Sequence, residues 1–198
     1  MPSTLWSAPT PQPNSVSVTT SSFTTAALTD ISPAVCGIMA GIINAGTRIR
    51  LHASGNYTAT TTASALTWGF YLTQEGSAIS ATASAALAAT ASTLAVVATA
   101  WPFILDYSGL FNAVAVSQNA TTGKITGQGY SLLPASLTTF TGPVPMPQTA
   151  AARTVTQTAT ITGLNTMMNL VAMLGITVAT NTGFSNVVVD ELTCELLG

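Results

Sequence analysis

From Thr47 onward apolar and polar residues alternate one for one, the period of a chain whose successive side chains point to opposite faces of a sheet. Ile49, Leu51 and Ala53 fall on one side, and Arg48, Arg50 and His52 on the other. Leu66, Trp68, Phe70 and Leu72 share a second apolar face, with Thr67, Gly69, Tyr71 and Thr73 opposite. Between these two strands Gly55, Asn56, the threonine-rich residues 58–62 and Ser64 read as a polar loop. Such alternation excludes a helical bundle and requires elements that bury one face only.

The pattern continues to the C-terminus. Phe103, Leu105 and Tyr107 share a face, Gly109 allows a bend or bulge, and residues 110–117 extend the run. A turn over 119–123 then joins it to residues 124–131 as a hairpin. Pro134, Pro143, Pro145 and Pro147 punctuate a surface crossing over 133–151. Beyond it Val155, Gln157, Ala159 and Ile161 alternate with threonines, followed by Leu170, Ala172, Leu174, Ile176 and Val178, and then by Val188, Leu192, Cys194 and Leu196. The alanine-rich residues 79–100 are the exception. Alanine favours helix, so a short helix or irregular crossing is expected near 81–91 and a strand from about Thr93. About eight strands, turns rich in Gly and Pro, and no βαβ alternation predict an all-β chain: an antiparallel, jelly-roll-like β-sandwich.

The N-terminus reads differently. Pro2, Pro9, Pro11 and Pro13 lie among Ser, Thr and Gln, and proline blocks both helix and central strand, so residues 1–30 are expected to form an extended arm leading into the first strand. Residues 15–19 alternate and can begin that strand, and residues 31–198 make the single sandwich domain. Trp6 is a large aromatic on this polar arm, expected to dock on a neighbouring subunit or on its own domain.

Charge narrows the function classes. Only 5% of residues are Asp, Glu, Lys or Arg while 47% are hydrophobic, against about a quarter charged in an ordinary soluble domain. The surface is instead covered by Ser, Thr, Asn, Gln and Ala, which cost little to desolvate compared with an unpaired ion. That suits a permanent assembly. A net charge of -2, with Arg48, Arg50, Lys124 and Arg153 dispersed, argues against nucleic-acid binding. Residues 76–105 contain no charge, but they are mostly alanine interrupted by Ser, Thr and Pro102, so no membrane span is expected. The first residues have neither a basic nor a continuous apolar segment, so synthesis in the cytoplasm is expected.

Catalytic and cofactor motifs are absent. His52, Asp106 and a serine could supply a Ser-His-Asp set, but no Gly-x-Ser-x-Gly elbow accompanies them. A carboxylate pair would need two of Asp30, Glu75, Asp106, Asp190, Glu191 and Glu195 to converge, and Asp190 and Glu191, neighbours in a strand, should point to opposite faces. Asp190 shares parity with Val188 and Leu192, and so is expected to be a buried or interface carboxylate paired with an arginine. One histidine and two distant cysteines make no metal set, and Gly123, Gly127 and Gly129 lack the lysine and helix of a phosphate loop. Gly127 and Gly129 instead suggest close packing or a bulge. Cys36 and Cys194 are expected to be reduced and buried. Tyr57, Tyr71 and Tyr130 are candidates for exposure. No enzyme activity and no cofactor are expected.

The run from Gly46 through Arg48, Ile49, Arg50, Leu51 and His52 to Gly55 is followed by Leu66-Thr-Trp-Gly-Phe-Tyr-Leu72, Trp101-Pro-Phe103, a 123–129 strand and a closing 187–192 strand. Together these resemble the small β-sandwich virion proteins of tailed bacteriophages, over roughly residues 30–198. The resemblance implies a structural component without catalytic residues, commonly of the head-decoration or capsid-stabilising type. The expected partners are the major capsid protein and further copies of the chain, as a trimer, on the head surface of the virion. Trp6, Pro9, Pro11, Pro13, Arg48, Arg50, Tyr71 and Asp190 are the expected interface residues. The alternatives are a tail or fibre module that binds host carbohydrate through exposed tyrosines and amides, and a ring-forming tail-tube or connector subunit.

Overall fold

The computed structural model describes residues 4–7, 16–19, 28–33, 36–59, 65–78, 85–93, 97–113, 123–132, 144–146, 157–161, 169–178 and 184–198. All regular elements among them are strands: β1 (Thr4–Ser7), β2 (Val16–Thr19), β3 (Leu28–Asp30), β4 (Cys36–Ile38), β5 (Arg48–Ala59), β6 (Ala65–Gln74), β7 (Ala85–Thr93), β8 (Val97–Ala113), β9 (Gly123–Leu132), β10 (Val144–Met146), β11 (Gln157–Ile161), β12 (Leu170–Val178) and β13 (Phe184–Leu197). They pair antiparallel in two sheets. The larger runs β1-β13-β5-β8-β9-β10, with β2 also on β13 and β11 also on β9; the smaller runs β3-β12-β6-β7, with β4 also on β12. The chain is an all-β antiparallel sandwich.

Alternation places the core between the sheets. Ile49, Leu51, Ala53 and Tyr57 of β5, Phe103, Leu105, Tyr107 and Phe111 of β8, and Leu192, Cys194 and Leu196 of β13 are buried. They face Trp68, Phe70 and Leu72 of β6 and Leu170, Ala172, Leu174 and Ile176 of β12, all in one hydrophobic cluster. Burying a large apolar side chain contributes about 1.5–3 kcal/mol. The sheets touch where the Trp68 and Phe103 rings lie 4.8 Å apart, tilted by 43°, within the favoured range for aromatic pairs. Cys36 on β4 points its sulfur at the Leu192 carbonyl of β13, 3.5 Å away, a second link between the layers.

Several sequence expectations change. The helix or crossing expected near 81–91 is overturned: residues 85–93 form β7, in register with β6 from Ala65↔Thr93 to Leu72↔Ala85. Helix propensity differences of a few tenths of a kcal/mol per residue yield to ladder hydrogen bonds and sheet burial. The following strand, β8, starts at Val97. β5 does not stop at Gly55 but runs to Ala59 as a twelve-residue strand, so Asn56 and Thr58 belong to a ladder. The proline-punctuated crossing contains β10, paired with β9 at residues 129–131, its other residues lying outside those described. The β8–β9 hairpin is present, its turn also outside.

The glycines of β8 and β9 act through space rather than through a bulge. Gly109 opposes Gly127 in an unbroken part of the ladder. A Cβ on Gly109 would lie 2.5 Å from the Tyr107 hydroxyl oxygen, and one on Gly127 would strike the same hydroxyl and come within 2.6 Å of the Ser108 carbonyl oxygen. The Tyr107 ring therefore lies over two bare backbones. Burial pushes its hydroxyl well above the usual tyrosine range. Gly127→Ala is expected to lower stability by about 1–3 kcal/mol through overpacking, whereas Gly37→Ala, where a Cβ meets nothing within 4 Å, should change it by less than about 0.5 kcal/mol. Urea unfolding of the two variants checks this, and equal losses would refute the Tyr107 packing account.

Candidate functional site

The outward face of β8, β5 and β13 gathers the charge of this charge-poor chain. Arg48, Arg50, Asp106, Glu191 and Glu195 lie there with His52, which is five of the ten charged residues and the single histidine. Two local features set this face. Gly46, at φ 95°, closes the turn before β5, a conformation open to glycine without strain; its N–H donates to the Phe111 carbonyl at 2.8 Å, and the Phe111 N–H to the Thr47 carbonyl at 2.9 Å. That double tie clamps β5 onto β8, so Arg48, Arg50 and His52 point outward while Ile49 and Leu51 point in. In β13 the register with β5 shifts between Val189 and Glu191. This bulge moves the buried set from Val187 and Val189 to Leu192, Cys194 and Leu196.

The bulge corrects two expectations. Val188 is only partly buried while its neighbours on both sides are fully so. Asp190 is exposed and makes no ion pair with an arginine among the described residues. An inserted residue lets Asp190 and Glu191 both lie off the core, where strict alternation would have divided them.

Pairing across three strands builds a small polar centre. His52 opposes Asp106 on β8 and Thr193 on β13. Its Nδ1 is 2.7 Å from Asp106 Oδ1 and its Nε2 is 3.8 Å from Glu191 Oε2. The side chains are 35%, 54% and 35% exposed for His52, Asp106 and Glu191, so water screens the pairs and each contributes at most about 1 kcal/mol. A carboxylate on Nδ1 orients a histidine as a triad does. Here, however, the second nitrogen faces another carboxylate, and no described hydroxyl hydrogen-bonds to it. Among the described residues no group of three acidic, His or Cys side chains is placed to hold a metal ion.

Beside this centre lies an open depression of about 470 Å³. Arg50, His52, Asp106, Gln128, Tyr130 and Glu195 line it, with the hydroxyls of Ser108 and Thr193 between them. Strand register explains the arrangement. Glu195, Arg50, Ser108 and Gln128 form one row across β13, β5, β8 and β9; Thr193, His52, Asp106 and Tyr130 form the next.

The structure brings Arg48 and Arg50 together and leaves both exposed. Tyr71 is corrected from an exposed interface residue to a buried one, only 7% exposed, and burial raises its hydroxyl pKa. Thr73 and Val171 on the same side are buried as well, so this part of the smaller sheet is covered on both faces. Tyr57 is buried too, and Tyr130 alone of the three tyrosine candidates is exposed. Trp6 stands in β1 opposite Leu196 of the chain's own β13, and Pro9, Pro11 and Pro13 lie outside the described residues. Sequence reasoning missed Gln128, Glu191 and Glu195 as site residues. Their outward parity was readable from Leu192, Cys194 and Ile125, but not which strands would lie side by side.

Both thiols lie in the core, and burial raises Cys36 to about 11 and Cys194 well above the ordinary range. Since the thiolate is the reactive form, an aromatic disulfide reagent at pH 8 should titrate neither cysteine in the folded protein and both in denaturant. Rapid labelling of the native chain would contradict this placement. Among known proteins, no family model, curated protein or solved structure matches the chain.

Proposed function

We propose that this chain is a structural virion protein of the head-decoration type, a homo-oligomer, as a trimer, that bridges neighbouring major capsid subunits and stabilises the particle. The observation that carries this reading is the segregation of charge between the two sheets. The five strands of the smaller sheet carry one charged residue, Asp30 of β3, whereas the larger sheet gathers five on one face. The smaller sheet's edge strand β7, made of Ala, Ser, Thr and Leu87 alone, is cheap to desolvate against a lattice. A polar face turned to solvent keeps the assembled particle soluble.

The N-terminal segment supports the same reading in altered form. β1 pairs with residues 195–197 and β2 with residues 186–189, so these two form one interrupted edge strand on β13, while β3 at the end of the arm pairs with β12 in the other sheet. This edge presents backbone on its far side, the kind of border through which sandwiches associate. Binding only to the assembled lattice shifts the equilibrium toward the intact particle by mass action.

Cryo-electron microscopy of the particle tests the proposal, with sandwich density expected at threefold positions on the head; density confined to the tail or a vertex would reject it. Deleting residues 1–14 removes β1 and is expected to lower capsid occupancy at least about tenfold, equivalent to about 1.4 kcal/mol, while the circular dichroism of the sandwich is retained. Full occupancy after deletion would remove the N-terminal strand from the contact.

A further inference from the structure

We propose that the depression on the outer face of the larger sheet is a binding site for a neutral saccharide. This goes beyond the structural role and is independent of where the protein sits on a particle. The first argument is shape. The depression, about 470 Å³, falls within the range of small-ligand sites, and it is built on four paired strands rather than on loops. Its floor is held by the His52–Asp106 contact at 2.7 Å. Such a base needs little reorganisation on binding.

The second argument is the chemistry of the lining. Pyranose hydroxyls donate and accept together, so they call for mixed partners on a small area. Gln128 offers an amide with both functions, Arg50 a fork of donors, and Glu195 a pair of acceptors. Hydroxyls of Ser108 and Thr193 fill the intervals. The side chains of Arg50, Gln128, Tyr130 and Glu195 make no hydrogen bond to one another or to any other described residue. Among the described residues nothing takes up their hydrogen-bonding capacity, which is left for a ligand.

The third argument is the rim. Tyr130 is 38% exposed, one of only two large hydrophobic side chains exposed among the described residues. An aromatic ring beside convergent polar groups supplies an apolar platform for the C–H face of a sugar, with a hydroxyl at its wet end. Charge then selects the class. Arg50 is balanced by Asp106 and Glu195 within the depression, so the site carries no excess positive charge for a phosphate, sulfate or uronate.

The experiment uses the purified full-length chain. A glycan array containing neutral and acidic oligosaccharides is screened, and the best neutral glycan is titrated by calorimetry. Saturable binding is expected, with Kd on the order of 1 mM. Tyr130→Ala and Gln128→Ala should each weaken it at least about tenfold at unchanged melting temperature, while Met39→Ala, at an exposed position outside the depression, should leave it intact. Three results would overturn the proposal: no saturation up to about 10 mM glycan, binding confined to acidic glycans, or neutral binding that survives both substitutions. None of them bears on head decoration, which is decided on particles.

Discussion

The sandwich depends on a ring from one sheet meeting a ring from the other over a strand with no side chain in the way. Trp68 rests on Phe103 at 4.8 Å, and Phe103 occupies that place because its register partner is Gly55. A Cβ there would lie 2.9 Å from the Phe103 ring and would collide with the Val188 carbonyl oxygen. One glycine thus admits both the aromatic contact between layers and the close passage of β13 beside its bulge. Tyr107 over Gly109 and Gly127 repeats the device further along β8. Bulky rings over bare backbones fill the core of a chain otherwise rich in small residues.

Much of this was legible from residue order because period two is a strong local signal. Ile49, Leu51 and Ala53, then Trp68, Phe70 and Leu72, then Leu170, Ala172, Leu174 and Ile176 are buried as their alternation requires. What failed is what alternation cannot carry. The bulge after Val189 inserts one residue and reverses parity, so Val188 and Asp190 were assigned to the wrong side. Tyr71 was placed outward correctly, but the outward face of β6 is itself covered, and nothing local in its sequence reveals a second layer of burial. β7 was misread because alanine carries no face preference, and only its pairing with β6 decides its state.

The polar centre illustrates the same division. His52 and Asp106 each announced an outward position, yet their 2.7 Å contact exists only because β5 and β8 are neighbours in the sheet. Residues 54 positions apart meet through register, and Glu191 joins them from β13 through the parity change. The concentration of charge follows from these three pairings. A composition that looks almost uncharged in bulk is strongly polar on one patch and carries Asp30 alone on the strands of the smaller sheet, so average charge was a poor guide to local surface chemistry.

The place of β13 in the larger sheet has a consequence for biogenesis. It lies between β5 and the strands β1 and β2, so a fourteen-residue strand that is made after all the other described strands joins the two made before them. Until it emerges, β1 and β2 lack the partner to which they are paired, and one edge of β5 stays open. Closure of such distant contacts is slow, and unpaired edges are where nascent β-proteins aggregate. The sandwich can therefore be completed only after β13 has emerged, and a chain that stops before it loses the element that joins β1 and β2 to β5.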